Sequence, residues 1–165
     1  MSGASRPDVM APPTRSTPLT VRPEWIDFNG HLNMAYYSVL FDQAVDQLYP
    51  WIGFGPAYQR TGFTTYVAEW HICYLRELHA GDEVVVDFRL IDYDAKRFHS
   101  YQELRHVDGW LAAVAEGLTL HVDQSGPRVA PMPEAILEQL GKLHDAQKDQ
   151  PRPDRLGRTI GIARR

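Results

Sequence analysis

The sequence predicts an α+β fold in which one antiparallel sheet wraps a single long helix. Apolar residues recur by threes and fours over residues 33–49, as in an amphipathic helix, and the period changes to two from residue 63 to residue 122. One helix followed by a meander of strands is an α+β arrangement, because the apolar face of the sheet needs a helix to cover it. Val39, Leu40 and Phe41 make that helix apolar on more than one side, as an enclosed helix requires.

The segments before and within the helix are predicted as follows. Residues 1–18 carry four prolines among small and polar residues, which predicts a disordered N-terminal tail. Residues 20–26 are predicted to be extended. Asn33 is a favourable N-cap for the helix, and Pro50 is expected to end it.

Four strands are predicted after the helix, separated by turns rich in Gly and Asp. They cover residues 63–76, 84–90, 98–106 and 110–122. A terminal helix is predicted over residues 133–143, and residues 145–165 are polar and basic by count, which predicts a flexible C-terminal tail. The folded domain is therefore expected over residues 19–144.

Composition limits the class of partner. The 165 residues carry a net charge of −4, which argues against nucleic acid, since phosphate binding needs a basic face. Cys73 is the single cysteine, so no intrachain disulfide is possible, and a reducing cytoplasm is the expected location. The chain has no apolar run long enough for a signal peptide or a membrane span, so no membrane association is expected.

The junction Asp27-Phe28-Asn29-Gly30-His31-Leu32-Asn33 is the most informative segment. It places a carboxylate, an imidazole and an amide within a few residues of a helix N-terminus. Such a terminus offers free backbone N–H groups and positive dipole character. This combination suits chemistry in which a carbonyl oxygen gains negative charge.

The pattern Asp27-x-x-Gly30-His31-x-Asn33 at a strand-to-helix junction resembles hotdog-fold acyl-CoA thioesterases of the 4-hydroxybenzoyl-CoA thioesterase type. The longer stretches 21–37, 74–82 and 90–98 are similar to the betainyl-CoA thioesterases of bacterial carnitine breakdown. The resemblance covers residues 18–140. It implies hydrolysis of a CoA thioester, most closely betainyl-CoA, by a homodimer or tetramer with active sites at subunit interfaces.

The resemblance assigns the catalytic role to Asp27, either as a nucleophile that forms a mixed anhydride or as a general base on water. The alternative for Asp27 is an Asx-turn residue that shapes the loop. Gly30 permits a positive φ angle or a close approach of substrate. Backbone N–H groups near Asn33 and Met34 are the expected oxyanion donors, with the Asn33 side chain as a cap. His31 either orients Asp27 or hydrogen-bonds locally.

Acidic and aromatic residues extend the predicted site. Glu69 lies in an otherwise bulky strand, where it is a second carboxylate, a counter-charge for a cationic acyl group, or a solvent-facing residue. Six aromatic residues flank the proposed site in sequence: Trp25, Tyr36, Tyr37, Trp51, Tyr66 and Trp70. An aromatic cage binds a quaternary ammonium such as that of betaine through cation–π attraction. Some of these six are expected to line the pocket, and the rest to belong to the core.

Four basic residues at strand ends or turns are candidates for contacts with the phosphates of CoA: Arg76, Lys96, Arg97 and Arg128. The alternative for each is solvated charge. No cofactor is expected, because CoA is part of the substrate. The histidines lack the tight spacing of a metal site, so no metal is expected either.

Three rival functions have less support. Thiol catalysis by Cys73 with His71 or His99 is disfavoured, since a lone Cys in an apolar strand is usually inert. A hotdog hydratase would need a longer spacing between Asp27 and His31, with a proline nearby. A non-catalytic acyl-CoA sensor would carry a DNA-binding segment or lack the carboxylate.

Overall fold

The computed structural model describes residue 12 and residues 14–164 of the chain. Seven strands form one sheet in these residues: β1 (Thr14–Arg15), β2 (Leu19–Thr20), β3 (Phe63–Tyr74), β4 (Glu83–Tyr93), β5 (Arg97–His106), β6 (Leu111–Asp123) and β7 (Arg128–Val129). Three α-helices accompany it: α1 (Met34–Ile52), α2 (Pro56–Gln59) and α3 (Glu134–Gln147). A single 3₁₀ turn, Pro23–Trp25, precedes α1 where an extended segment was predicted.

The sheet is antiparallel, and its main path runs β1-β4-β5-β6-β3. The four long strands β3 to β6 correspond to the four predicted strands. β2 adds to β4 and β7 adds to β6, and neither two-residue strand was predicted. Among the described residues β3 pairs only with β6, so its other edge is open. An open edge of this length is a surface on which another strand can pair.

The sheet wraps α1 and buries one side of it. The buried residues of α1 are Tyr37, Leu40, Phe41, Ala44, Leu48 and Ile52. The first half packs on inward-facing residues of the sheet such as Val84, Val86 and Leu104. The second half shares a cluster with α3, around Phe98 and Leu140. The core therefore fixes α1 along its whole length and holds its N-terminus at one end of the sheet.

The helix does not end at Pro50 as predicted, but continues to Ile52. Proline removes one helical hydrogen bond, and its ring clashes with the preceding turn. Ile52 is only 1% exposed in the cluster with α3, so its burial offsets that cost. Gly53 then ends the helix in the left-handed conformation, with φ 110°, and donates its N–H to the Tyr49 carbonyl.

The N-terminal segment is paired from residue 14 onward, although disorder was predicted for residues 1–18. Residues 1–11 and 13 lie outside the described residues. Thr14 pairs with Phe88, and Arg15 with Asp87, along the edge of β4. The Arg15 guanidinium also binds the Asp87 carboxylate through two nitrogens, at 2.6 and 2.8 Å. Pairing with β4 explains why this segment is structured, because it satisfies backbone N–H and C=O groups on an edge of β4 that would otherwise be open.

Residues 150–157, within the predicted flexible C-terminal tail, lie on the outer face of the sheet. Arg89 donates hydrogen bonds to the carbonyls of Gln150 and Pro151. The Gly157 N–H donates to Glu116 Oε2 at 2.7 Å. These contacts direct the tail across β4 and β6 towards the open edge of β3.

Candidate active site

The segment between the 3₁₀ turn and α1 folds back on itself. The Asp27 N–H donates to the His31 carbonyl at 3.2 Å, and the Gly30 N–H donates to the Asp27 carbonyl at 3.0 Å. A bridge between Ile26 and Leu32 closes this turn. Gly30 has a φ of 80°, which favours glycine because a side chain would be strained there. The predicted positive φ at Gly30 is therefore confirmed.

Two hydrogen bonds orient the Asp27 carboxylate. Oδ1 accepts from the Asn29 N–H at 2.8 Å, which is an Asx turn. Oδ2 accepts from the Asn33 side-chain amide at 3.2 Å. The Asx turn proposed as an alternative to catalysis is thus present, and it coexists with a carboxylate that is only partly buried. Each hydrogen bond occupies one lone pair of its own oxygen, so both carboxylate oxygens can accept a further hydrogen bond.

The start of α1 presents one free backbone donor. Asn33 is the N-cap, as predicted, and its Oδ1 accepts from the Ala35 N–H at 3.0 Å. The Asn33 N–H donates to the Trp25 carbonyl at 3.0 Å, so the prediction that it serves as an oxyanion donor is wrong. Among the described residues, no acceptor pairs with the Met34 N–H.

Asp27, His31, Asn33 and Met34 line one surface depression of about 490 Å³. The other wall is formed by Tyr74 at the end of β3 and by residues 75–77 after it. Arg76 is the only predicted CoA-binding cation in this depression among the described residues. The structure therefore brings together six of the predicted site residues, since Tyr37 lines the same depression. The His31 side chain makes no hydrogen bond within the part of the chain that the structure describes.

Glu69 does not share this depression within one protomer. It is exposed on β3, beside a bulge between Val67 and Glu69. It lines a different depression, together with His71, His99 and Glu116 on the outer face of the sheet. A bulge changes the direction of side chains along a strand, which the period-two pattern of the sequence does not show.

The six candidate aromatic residues do not form one cage within a protomer: Tyr37 lines the depression of Asp27, and the other five lie elsewhere. Trp25 stacks on Tyr36 with ring centroids 5.5 Å apart. Trp25 and Tyr37 are buried in the main core, whereas Trp51 lines a small hollow beside β1. Tyr66 is exposed on β3. Helical and strand periodicity placed these rings on different faces of the fold.

The other predicted CoA-binding cations are dispersed. Arg97 binds Asp94 at 2.6 Å, and this hydrogen bond holds the pKa of Asp94 below its ordinary value. Arg128 binds Asp123 at 2.9 Å, while the Ser125 hydroxyl and then the Ser125 N–H are the main causes of the lowered pKa of Asp123. Lys96 is exposed in the β4–β5 turn. None of the three lines the depression of Asp27.

A second cavity, missed by sequence reasoning, lies between α1, β3 and β5. We call it the aromatic pocket. It has a volume of about 390 Å³, and among the residues that line it are Phe41, Asp42, Tyr49, Trp70, Phe98 and Gln102. Of the predicted aromatic residues it contains only Trp70 among the described residues. Asp42 is the one signal that the sequence offered, since it interrupts an apolar stretch of α1.

The described residues form no cluster of three or more His, Cys, Asp or Glu side chains able to hold a metal ion. None of the helices described is long and apolar enough to cross a membrane. Cys73 is a free, partly buried thiol with its sulfur 3.9 Å from His71 Nε2.

Comparison with known proteins agrees with this geometry. The betainyl-CoA thioesterase of Pseudomonas aeruginosa is 36% identical over 151 residues, which are 90% of this chain and 94% of that protein. The L-carnitine dehydrogenase/betainyl-CoA thioesterase of Agrobacterium fabrum is 36% identical over 140 residues, 85% of this chain. This chain spans only 29% of the length of that relative.

Solved structures share the fold. A Staphylococcus aureus protein in complex with CoA has a TM-score of 0.83 and 30% identity, and the match covers 89% of this chain and 94% of that chain. A putative thioesterase from Pseudomonas putida has a TM-score of 0.80 and 31% identity, covering 93% and 99%. The predicted α+β hotdog architecture is confirmed by these matches.

An antiparallel sheet around one helix, with a carboxylate fixed at the start of that helix, defines a hotdog-fold thioester hydrolase. Residues 21–140 match the family described as the thioesterase-like superfamily. The chain belongs to that superfamily, as the resemblance of its junction motif predicted.

Proposed function

We propose that the protein hydrolyses betainyl-CoA to betaine and CoA. The observation that supports this most directly is the Asp27 carboxylate, held by Asn33 beside the free Met34 N–H. The acyl group is inferred from the relatives, which are named for betainyl-CoA and are 36% identical to most of this chain. A fold alone does not determine a substrate, so the geometry and the relatives are both needed.

Asp27 supplies or activates the attacking oxygen. In one route its carboxylate attacks the thioester carbonyl, the C–S bond breaks, and CoA leaves as a thiolate that takes a proton. Water then hydrolyses the mixed anhydride and regenerates Asp27. In the other route Asp27 takes a proton from water, and that water attacks the carbonyl. In both routes the net reaction adds one water across the C–S bond.

The N-terminus of α1 stabilises the charge that develops on the carbonyl oxygen. The Met34 N–H is unpaired in the described residues and lies at the positive end of a 19-residue helix. A preorganised donor of this kind lowers the barrier because it does not reorganise during the reaction. Gly30 leaves open space above the loop, since a Cβ atom at that position would meet nothing within 4 Å.

CoA is proposed to extend from this depression over the end of β3. Arg76 lines the depression, and its guanidinium lies 4.1 Å from the centroid of the Trp110 ring. A guanidinium held in this way is suited to bind a phosphate oxygen. The CoA complex of the Staphylococcus aureus neighbour supports CoA as the ligand of this fold. No further cofactor is proposed.

The proposed assembly is a homodimer, or a tetramer built from it, that forms through the open edge of β3. Tyr66 and Val67 expose 48% and 58% of their surface on this strand. Pairing two copies of β3 would satisfy the backbone groups of the edge and cover these side chains. The proposed location is the cytoplasm, where Cys73 stays reduced.

The test is release of the CoA thiol from betainyl-CoA, with acetyl-, butyryl- and benzoyl-CoA beside it. Asp27→Asn should abolish turnover and leave the fold intact, while Asp108→Asn in an exposed turn is the matched control. Broad activity would keep the thioesterase and replace betainyl-CoA with another small or aromatic acyl-CoA. Binding of acyl-CoA without hydrolysis of any of them would favour a sensor instead.

A further inference from the structure

One exposed carboxylate borders the aromatic pocket. Asp42 is the only charged residue among those found to line it in the described part of the chain. No ion pair among the described residues includes Asp42 or its neighbour one turn later, Asp46. The pKa of Asp46 is raised, first by burial and then by the negative charge of Asp42. The pocket therefore favours a positive ligand over a negative one.

Two buried polar atoms at this pocket have no hydrogen-bond partner. They are Trp70 Nε1, a donor, and Gln102 Oε1, an acceptor. The Gln102 side chain is 2% exposed, so bulk water does not satisfy it. Buried polar atoms in native proteins are normally paired, but these two have almost no accessible surface, so a ligand would gain a hydrogen bond from either one only if the pocket wall shifted.

The ring of Trp70 is held in a fixed position. A Cβ atom on Gly117 would lie 2.6 Å from Trp70 Cε3, so only glycine leaves room for the indole there. Phe41 contacts the indole edge-on, with centroids 5.7 Å apart. An aromatic wall fixed in advance binds its ligand without an additional loss of side-chain entropy.

We propose that the aromatic pocket binds the acyl part of the substrate and selects a methylated, cationic group. The inference rests on the proposed thioesterase function. Aromatic rings and a carboxylate that forms no ion pair with the described residues together attract a quaternary ammonium. A neutral group of the same shape gains nothing from this electrostatic attraction. An anionic acyl group would meet Asp42 without a compensating cation.

A betainyl group is too short to extend from Asp27 to Asp42 within one protomer. Asp42 lies nine residues after Asn33, which is roughly 13 Å along the helix. The farthest methyl of betaine is three bonds from the thioester carbonyl carbon, or at most about 4.5 Å. A thioester held at Asp27 therefore does not reach Asp42 of its own chain. In the proposed arrangement, the two protomers pair along the β3 edge. The ammonium group in the pocket of one protomer is then part of a substrate whose thioester is bound at Asp27 of the other.

Two substrates of the same shape test the selection. Betainyl-CoA and 3,3-dimethylbutyryl-CoA differ in a quaternary nitrogen against a quaternary carbon. The wild type should prefer betainyl-CoA by about tenfold or more in kcat/KM. Asp42→Asn should remove most of that preference, because it should lower kcat/KM for betainyl-CoA more than kcat/KM for the neutral substrate. Trp70→Phe should reduce the preference less, since it keeps an aromatic ring, and Asp145→Asn on α3 is the matched charge control.

The outcomes separate the two proposals. No hydrolysis of any acyl-CoA would overturn the proposed function. Hydrolysis of both substrates without preference, or an equal loss on both in Asp42→Asn, would overturn the selection by the pocket while leaving the thioesterase. Gly117→Ala, which displaces Trp70, should lower kcat/KM for betainyl-CoA more than for the neutral substrate, and an equal effect on both would contradict the inference.

Mixed dimers test the pairing of the two protomers. A chain with Asp27→Asn is expected to be inactive alone but to retain Asp42, whereas a chain with Asp42→Asn retains Asp27. Hybrids of the two contain one site with both residues intact. Adding an excess of the first chain should restore the preference for betainyl-CoA, and an unchanged ratio of the two activities would place Asp27 and its pocket in the same chain.

Discussion

The side-chain amide of Asn33 donates to Asp27 Oδ2 at 3.2 Å, while its oxygen caps the helix by accepting from the Ala35 N–H at 3.0 Å. One side chain therefore links the start of α1 to the orientation of the carboxylate. The two bonds use opposite ends of the amide, so substitution can remove one and keep the other.

Asn33→Ser should separate the two roles. Serine is a good N-cap but cannot donate to Asp27 as the amide does, so activity should fall while stability changes by only a few tenths of a kcal/mol. Asn33→Ala should lose both and cost about 0.5–2 kcal/mol of stability. Thermal unfolding and kcat/KM for the best substrate measure the two effects. Normal activity in Asn33→Ser would show that the contact does not position Asp27.

Isotope labelling can distinguish the two proposed roles of Asp27, nucleophile and general base. A single turnover in oxygen-18 water should place the label in Asp27 if the carboxylate is a nucleophile, because water attacks the aspartyl carbonyl of the anhydride. The label should appear only in the released acid if Asp27 is a general base. Mass spectrometry of the peptide containing Asp27 distinguishes the two, and a label in neither molecule would argue against hydrolysis.

Charge at the open edge of β3 should weaken the dimer. Val67→Lys places two lysines near each other if two β3 strands pair, and like charges there repel. Sedimentation should show a shift towards monomer, with a parallel loss of activity. Val107→Lys, at an exposed apolar position in the β5–β6 turn, is the control and should not shift it. Unchanged sedimentation of Val67→Lys would place the interface elsewhere.

Alkaline stability should depend on Tyr49. Burial raises the pKa of Tyr49 from about 10 to about 12, against the opposing effect of Thr65 and Thr119. The phenol stays neutral in the folded state but ionises in the unfolded state, so stability is lost as the pH rises from about 10 to about 12. Tyr49→Phe should make the fall in this range shallower in denaturant unfolding. An unchanged slope in Tyr49→Phe would contradict this assignment.

Local patterns in the sequence were sufficient for the main elements of the fold. The spacing of apolar residues by threes and fours in α1, and their alternation in β3 to β6, indicates which face of each element is buried. The buried face of the helix packs against the buried face of the sheet. Pro50 was misleading, because the burial of Ile52 in a cluster that the neighbouring sequence does not show offsets the local cost of the proline. Pairing of Thr14 with Phe88 was equally invisible, since it depends on a strand more than seventy residues away.

The sequence by itself determined the loop that holds Asp27, because Gly30, Asn33 and the Asx turn act over distances of a few residues. Only the tertiary structure decided which aromatic rings meet: it separated Trp25, Trp51 and Tyr66, and it brought Trp70 to Phe98, Gln102 and Asp42. Those contacts join a helix to two strands that are far apart in the chain. Their geometry is set by packing of the whole sheet against α1, which no local spacing encodes.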